Sequence, residues 1–460
     1  MKLKHPIPFK IILNMDYKQD NIVAIATGSG YAGVGVIRIS GGNLLPVIHK
    51  LINKQNATIT PRYAHYSDFF DEAGSIIDSG LFIYFNAPKS FTGEDVIELQ
   101  GHGSPVVLNM LLKRCLTLGC RLAEPGEFTK RAYLNGKVDL VQAESIADLI
   151  HAESEASARG ALKSLRGEFS RYIKEINDQL INLRMFVEAS LDFPDEDIEF
   201  IANAKIKDKL IVIREEIYSL LSNTKHGVIL NNGVNIVIIG RPNVGKSSLL
   251  NALANEDIAI VTSIAGTTRD IVRQKIIING IPFNIIDTAG IRETTDEVEK
   301  IGIARAVSAL GEADICLVLI DDSLGISEED ESILKQIPAN LKRVFVYNKI
   351  DLSGKSMDIV DNKVYISAKQ NVGIDQLRQL LLATIGWDSS NTGMFSARER
   401  HLEAVHKTVN HIDNAFIYWT ELEILAEELR YAHTSLGEIT GEFTADNLLG
   451  EIFSKFCIGK

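Results

Sequence analysis

The stretch Gly240-Arg241-Pro242-Asn243-Val244-Gly245-Lys246-Ser247 fits the pattern G-x-x-x-x-G-K-[ST]. It follows an apolar run that ends at Ile239 and precedes the helical run Ser248 to Leu253, so the pattern lies between a strand and a helix. Glycines in such a turn let backbone N–H groups curl around phosphate oxygens, and the helix N-terminus adds its positive end. Lys246 is placed to reach the β and γ phosphates and the Ser247 hydroxyl to ligate Mg²⁺, with Val244, Gly245 and Ser248 completing the cradle. The bland alternative is a chance match in a turn, and the strand–loop–helix context argues against it.

Further pieces lie downstream, several of them at the end of an apolar run. Gly266-Thr267-Thr268-Arg269-Asp270 offers a threonine hydroxyl, assigned to Thr268, to complete the metal shell. Asp287-Thr288-Ala289-Gly290 puts a carboxylate at a strand tip to hold Mg²⁺ through water, and the Gly290 N–H can bond the γ-phosphate. Asn348-Lys349-Ile350-Asp351 follows the run Val344 to Tyr347. The Asp351 carboxylate can accept from N1–H and the 2-amino group of guanine, neither of which adenine offers. Ser367-Ala368-Lys369 follows the next strand and can supply a backbone N–H to guanine O6. Five pieces in this order specify a guanine-nucleotide-binding module.

Across the module, short buried-strand runs alternate with helical patterns from about 233 to 390, which predicts βα units on a mostly parallel sheet. Asn279-Gly280 between two β-branched runs predicts a hairpin turn. On both sides the texture is helical. From Asp139 to Phe193 apolar residues recur at helical spacing, as in Ile173, Ile176, Leu180 and Leu183, and a second helical stretch runs from Arg398 to Phe456. The expected organisation is an extension over 1–20, an N-terminal α+β domain over 21–137, a helical domain over 138–232 and 391–460, and an inserted Ras-like P-loop module over 233–390. Gly28-Ser29-Gly30-Tyr31-Ala32-Gly33 fits G-x-G-x-x-G, but Val34 to Ile39 reads as a strand where a dinucleotide site needs a helix, and Ile48 to Asn53 holds no carboxylate.

The 460 residues carry a net charge of −12, which argues against gripping nucleic acid by bulk phosphate neutralisation. The apolar share of 45% and charged share of 23% are those of a globular protein with sizeable cores. Four cysteines without a C-x-x-C pair fit a reducing compartment better than a disulfide framework or zinc ribbon. No apolar run is long enough to span a membrane, and the N-terminus lacks a signal-peptide core, so a cytoplasmic location is expected.

Hydrolysis is the unusual part. Ras-like enzymes orient the attacking water with a Gln just after D-x-x-G, and here that place holds Ile291, which cannot polarise water. Glu293, Asp296, Glu297 and Glu299 are the downstream candidates, and nothing intrinsic to the sequence chooses among them.

Several stretches outside the module carry a resemblance. Ile37-Arg38-Ile39-Ser40-Gly41, Ser90-Phe91-Thr92-Gly93-Glu94-Asp95-Val96-Ile97-Glu98, Glu124-Pro125-Gly126-Glu127-Phe128-Thr129 and the terminal Phe456-Cys457-Ile458-Gly459-Lys460 closely resemble the bacterial tRNA-modification GTPase MnmE (TrmE) family, from about Asn21 to the last residue. The resemblance implies a homodimer formed through an N-terminal folate-binding domain, with 5-formyltetrahydrofolate or a related tetrahydrofolate as ligand. It implies a flavoprotein partner, MnmG, and attachment of an aminomethyl-type (carboxymethylaminomethyl) group at C5 of the wobble uridine of certain tRNAs. By the same resemblance Arg38, Glu98, Lys137 and Lys460 contact the folate. Asn243 coordinates K⁺ with the loop Thr262-Ser263-Ile264-Ala265-Gly266-Thr267, where Thr262, Ile264 and Thr267 supply oxygens. Glu299 orients the hydrolytic water, and Cys457 takes part in the modification. Read alone, Arg38 and Lys137 are surface charges, Glu98 a strand-edge carboxylate, Lys460 a frayed end and Cys457 a core thiol. Cys115, Cys120 and Cys316 match no family position and are expected in cores. The start departs from the family: about twenty residues precede Asn21, and Met15, six residues before it, is the expected translation start. A ribosome-assembly GTPase switch remains the alternative, though that class carries a basic RNA-binding appendage that these acidic flanks lack. A folate-binding scaffold with a vestigial GTPase is a third reading, allowed by the missing Gln.

Overall fold

The chain, seen in a computed structural model that describes residues 20–192, 199–254, 273–287, 310–387, 395–443 and 446–459, contains two compact units. One comprises the described residues up to Ala147 together with those from Gly441 onward, and the other runs Asp148–Thr440.

Strands β1 (Ile22–Ile25), β2 (Ala32–Gly41), β3 (Ala64–Phe70), β4 (Ile76–Phe85), β5 (Asp95–Gly103) and β6 (Arg121–Leu122) form the sheet of the first unit. The order is β3-β4-β5-β2-β1-β6, antiparallel throughout except for the β1–β6 pair. Side chains alternate between its two faces. Val23, Ile37, Ile39, Ile97 and Leu99 turn to a core shared with Ile48 and Leu51 of the helix Leu45–Leu51 and with Leu108 and Leu111 of the helix Pro105–Thr117. Residues between them, including Arg38, Ser40 and Glu98, therefore belong to the opposite face. Ala32 opens β2, so the glycine-rich Gly28–Gly33 stretch leads into a strand, as its flanking residues predict.

The C-terminal segment belongs to this unit. Leu449, Ile452, Phe453 and Phe456 pack with Leu140, Ala143 and Ala147 in one buried cluster. Tyr133 Oη donates to Gly441 O at 3.0 Å.

In the second unit the helices Glu155–Leu165, Glu168–Asp192, Glu199–Asn232, Glu399–Ile417 and Leu422–Thr440 carry the helical part. The predicted apolar stripe Ile173, Ile176, Leu180 and Leu183 is fully buried. Strands β7 (Val234–Ile239), β8 (Arg273–Ile278), β9 (Ile281–Asp287), β10 (Ile315–Asp321), β11 (Lys342–Asn348), β12 (Asp358–Val360) and β13 (Lys363–Tyr365) form the second sheet. Its order is β12-β13-β11-β10-β7-β9-β8, parallel at its centre with an antiparallel strand at each edge. Every residue of β10 is buried because both faces are covered, which is why the run reads as continuously apolar. Ile315, Leu317 and Leu319 pack on one face, Cys316, Val318 and Ile320 on the other. Asn279 and Gly280 both have positive φ, 50° and 82°, and close the β8–β9 hairpin as the sequence predicts. Among the described residues no helix is long and apolar enough to cross a membrane.

Candidate functional site

The loop after β7 has the backbone that a phosphate cradle needs. Gly240, Asn243 and Gly245 have φ of 153°, 63° and 101°. A Cβ on Gly245 would lie 2.3 Å from Asn348 Nδ2, and one on Gly240 2.4 Å from Leu319 O, so neither position tolerates a side chain without movement. Val244 plugs into the core beneath, while Asn243, Ser247 and Ser248 are exposed on the opposite side. Lys246 begins the helix Lys246–Ala254, and its Nζ donates to Gly240 O at 2.5 Å and Arg241 O at 3.3 Å, so the ammonium lies across the loop. Arg241 reaches away from the cradle to Asp330, 3.1 Å from Nε, and that carboxylate also caps the helix Glu328–Lys335 with Ser327.

Asn348 joins the separate loops into one site. Its Nδ2 donates to Val244 O at 2.8 Å, and its Oδ1 accepts from Ala368 N at 2.9 Å. Phosphate loop, N-K-x-D segment and S-A-K segment are thus stitched through one buried amide. Ser367 Oγ donates to Asp351 Oδ1 at 2.6 Å, orienting the carboxylate expected to read guanine. Since the Ala368 N–H is already engaged by Asn348, a guanine O6 must share that donor or draw on its neighbours in the triplet. Ile238 pairs with Asp287 across the parallel β7–β9 ladder, so the strand tip carrying Asp287 ends beside the root of the phosphate loop.

A second polar centre lies on the face of the first sheet opposite the helices Leu45–Leu51 and Pro105–Thr117, where the helix Glu127–Leu134 brings Phe128 and Arg131. Arg38 on β2 and Glu98 on β5 are direct cross-strand partners, and Arg38 Nη2 donates to Glu98 Oε1 at 2.8 Å. The reading of Glu98 as a strand-edge carboxylate is corrected: β5 has neighbours on both sides, and its partner β2 is central too. Nor is Arg38 a bare surface charge, because its guanidinium also lies 5.7 Å from the Phe91 ring centroid and 5.9 Å from that of Phe128. Lys137 Nζ donates to Pro88 O at 3.0 Å, and its stem lies against Gly93, so Arg38 and Lys137 flank the same Pro88–Gly93 segment.

Beside that pair runs a network of which the sequence motifs contain only Ser40, Glu94 and Glu127. Arg131 is fully buried and donates to Glu94, Glu127 and Asp20, each at 2.9 Å. Arg121 bonds Glu127 and Asp20 as well, and Ser40 Oγ donates to Glu94 at 2.8 Å. Burial opposes ionisation of Glu127, yet Arg121, the Glu124 N–H and Arg131 outweigh it and hold its carboxyl below the ordinary range. The spacing gave only a partial signal: Glu127 and Arg131 stand four apart on the helix Glu127–Leu134, a pattern ordinarily read as an exposed ion pair, and only the fold buries both.

The C-terminal tail approaches the same unit. Gly126 N–H donates to Cys457 O at 3.4 Å, and a Cβ on Gly459 would lie 2.5 Å from Ile25 O of β1. Cys457 is exposed, which corrects its reading as a core thiol. Cys115, Cys120 and Cys316 are buried as expected, and burial pushes the Cys120 thiol up to about 11 and Cys316 to about 12. Thr262, Ser263, Ile264, Ala265, Gly266, Thr267, Thr268, Thr288, Ala289, Gly290, Glu299, Lys460 and Met15 lie outside the described residues, as does the Asp287 side chain.

Comparison with known proteins covers most of the chain. A family model described as the MnmE helical domain matches residues 140–457, and one described as the GTP-binding protein TrmE N-terminus matches 21–137. A tRNA modification GTPase MnmE of Chromobacterium violaceum is 54% identical over 452 residues, covering 97% of this chain and 100% of that protein. The protein of the same name from Dechloromonas aromatica is 55% identical over 451 residues, covering 96% and 100%. That of Neisseria meningitidis serogroup A is 54% identical over 444 residues, covering 95% and 98%.

Proposed function

The chain belongs to the tRNA-modification GTPase MnmE family, and on that premise we propose that it hydrolyses GTP to GDP and phosphate in the service of tRNA modification. With the flavoprotein MnmG it installs an aminomethyl-type (carboxymethylaminomethyl) group at C5 of the wobble uridine of certain tRNAs, in the cytoplasm. The observation that carries the GTPase reading is Asn348, which ties the phosphate loop to the guanine-reading loops through its buried amide.

Lys246 draws charge from the γ-phosphate, and Asp351 selects guanine over adenine. Glu299 orients the attacking water in the place that Ile291 leaves unserved. Ser247 and Thr268 hold Mg²⁺, and Asn243 holds K⁺ with oxygens of Thr262, Ile264 and Thr267. The exposed Asn243 side chain on a left-handed backbone suits that task. When bound there, the two cations supply positive charge against the β and γ phosphates, the service an arginine finger performs elsewhere. Turnover needs the homodimer, in which the nucleotide-binding modules of two copies pair.

In the first unit Arg38, Glu98, Lys137 and Lys460 bind 5-formyltetrahydrofolate or a related tetrahydrofolate. The paired guanidinium and carboxylate offer donors and an acceptor edge to a heterocycle, with Phe91 beside them. The close approach of Gly459 to β1 supports a role for its neighbour Lys460, and the exposure of Cys457 supports a part in the modification.

Single-turnover hydrolysis in K⁺ and in Na⁺ buffer tests the core of this reading. Fast hydrolysis in K⁺ only, loss of the K⁺ response in Asn243→Ala, and loss of turnover with GTP binding retained in Glu299→Ala are expected. Wild-type turnover by Glu299→Ala would remove Glu299 from catalysis and leave Glu293 as the candidate.

A further inference from the structure

A buried carboxylate with no part in the GTPase scheme faces the guanine-reading loop. Asp321 is the last residue of β10 and pairs in register with Asn348 on β11. It is 5% exposed. Its Oδ2 lies 2.6 Å from Lys349 Nζ, while Oδ1 accepts from Ser323 N at 3.1 Å and Ser323 Oγ at 2.6 Å. Burial opposes its ionisation, but the Lys349 ammonium and the Ser323 donors outweigh burial and hold the carboxyl below its ordinary value. A buried ion pair is a poor source of net stability, so stability alone is a weak account of this one.

Lys349 supplies the better account. Its φ of 69° and ψ of 37° place it in the left-handed region, which a lysine seldom adopts. Such a backbone persists when its surroundings over-determine it. Lys349 stands directly after Asn348 and two residues before Asp351, so its conformation sets the angle between the amide that ties the loops and the carboxylate aimed at the base. The only grip on its ammonium among the bonds described is Asp321. The next residue gives a contrast within the same turn. Asp322 is buried too, but its carboxylate bonds Ser353 Oγ and Lys355 Nζ rather than the Lys349 ammonium.

Resting on the reading that this module binds GTP, we propose that Asp321 is a positioning residue for guanine-nucleotide recognition. It tethers Lys349, and through that strained residue it keeps Asn348 and Asp351 in the arrangement that meets the base.

The test uses the full-length protein and stopped-flow dissociation of a fluorescent N-methylanthraniloyl-GDP. Asp321→Asn keeps the size and the Ser323 bonds but loses the charge, and it should speed dissociation about tenfold, the cost of one charge-assisted bond. Asp322→Asn, with a buried carboxylate lost but Lys349 untouched, should stay within about twofold of the unsubstituted rate. In a Lys349→Gly background, where the left-handed backbone is free of strain and the tether is gone, adding Asp321→Asn should change nothing further. An unchanged rate in Asp321→Asn, an equal effect from Asp322→Asn, or effects that multiply in the double variant would each overturn the proposal. Should Asp321→Asn fail to fold, Lys349→Met takes its place, with the same rise in dissociation expected and an unchanged rate counting against. Failure of the unsubstituted protein to bind the analogue at all would overturn the GTPase reading itself.

Discussion

Around Arg131 the first unit buries a cluster of opposite charges, whereas around Asn348 the second unit joins loop tips through a neutral amide. The Arg131 cluster draws on Asp20, Glu94, Arg121 and Glu127, and so fastens the start of β1, the segment before β5, the start of β6 and the helix Glu127–Leu134 to one another. Each charge there is matched by neighbours that the fold cannot move without leaving another charge unpaired. At Asn348 the partners are backbone groups, and the loops they belong to bend through glycines or residues of positive φ. The first arrangement resists change because the buried Arg131 and Glu127 cannot be left unpaired, while Asp20 and Arg121 at its margin stay partly exposed. The second is geometric: strand ends supply a rigid base, and short loops project from it toward a ligand.

The largest effect should come from breaking the first arrangement. Arg131→Met leaves three carboxylates around a buried apolar stem and should destabilise the first unit by about 3–5 kcal/mol. Hydrogen exchange at β1 and the helix Glu127–Leu134 reports it, and the amides of β7 and β10 should keep their protection. Uniform loss of protection across both units would erase the distinction between them.

Next comes the tight spot of the second arrangement. Gly245→Ala puts a methyl group where Asn348 Nδ2 lies 2.3 Å away, at a φ of 101° that alanine resists. Guanine-nucleotide affinity should fall by roughly 2–3 kcal/mol, combining backbone strain with loss of the Asn348 bond. Calorimetric titration with GDP measures it, and an unperturbed affinity would show that the stitched loops are not required.

Acid separates the two centres more gently. Glu127 and Asp20 have carboxyls held below their ordinary values of 4.5 and 3.8: burial opposes ionisation of Glu127, and Arg121 is foremost in lowering Asp20. Groups depressed in the folded state contribute stability that is complete above those values and is lost as pH falls through them. Chemical denaturation followed at β1 should therefore weaken below about pH 4.5, the ordinary glutamate value. A first unit that gains stability on acidification would contradict the pairing.

The smallest effect should come from Ser367→Ala, which removes the hydroxyl that orients Asp351 Oδ1. Affinity for GDP should fall by about 1 kcal/mol, one hydrogen bond to a charged group that water can partly replace. Loss of guanine selectivity altogether would mean that Ser367, not Asp351, dominates the choice of base.

Much of the nucleotide module is legible in the sequence itself. A parallel sheet buried on both faces writes itself as apolar runs such as Ile315 to Ile320, and its loops carry motif residues at strand ends where backbone geometry demands them. Asn279-Gly280 announced its hairpin for the same local reason. Helices came through as a 3.6-residue stripe, with Ile173, Ile176, Leu180 and Leu183 buried to the last. Local chemistry dictates all of these, so the sequence carries them.

What the sequence by itself could not decide were the meetings of distant residues. Glu98 looked like an edge carboxylate until strand order put β5 between β4 and β2, opposite Arg38. Cys457 looked like core until the tail was seen lying along Gly126 with its thiol outward. Asp20 and Arg131 stand far apart in the chain, and no spacing rule connects them. Asp321 reads as the unremarked end of an apolar strand until Lys349 lies beside it. Periodicity and motifs are set by neighbours a few residues away, whereas pairing of buried charges depends on strand order and loop closure, which only the folded chain brings into being.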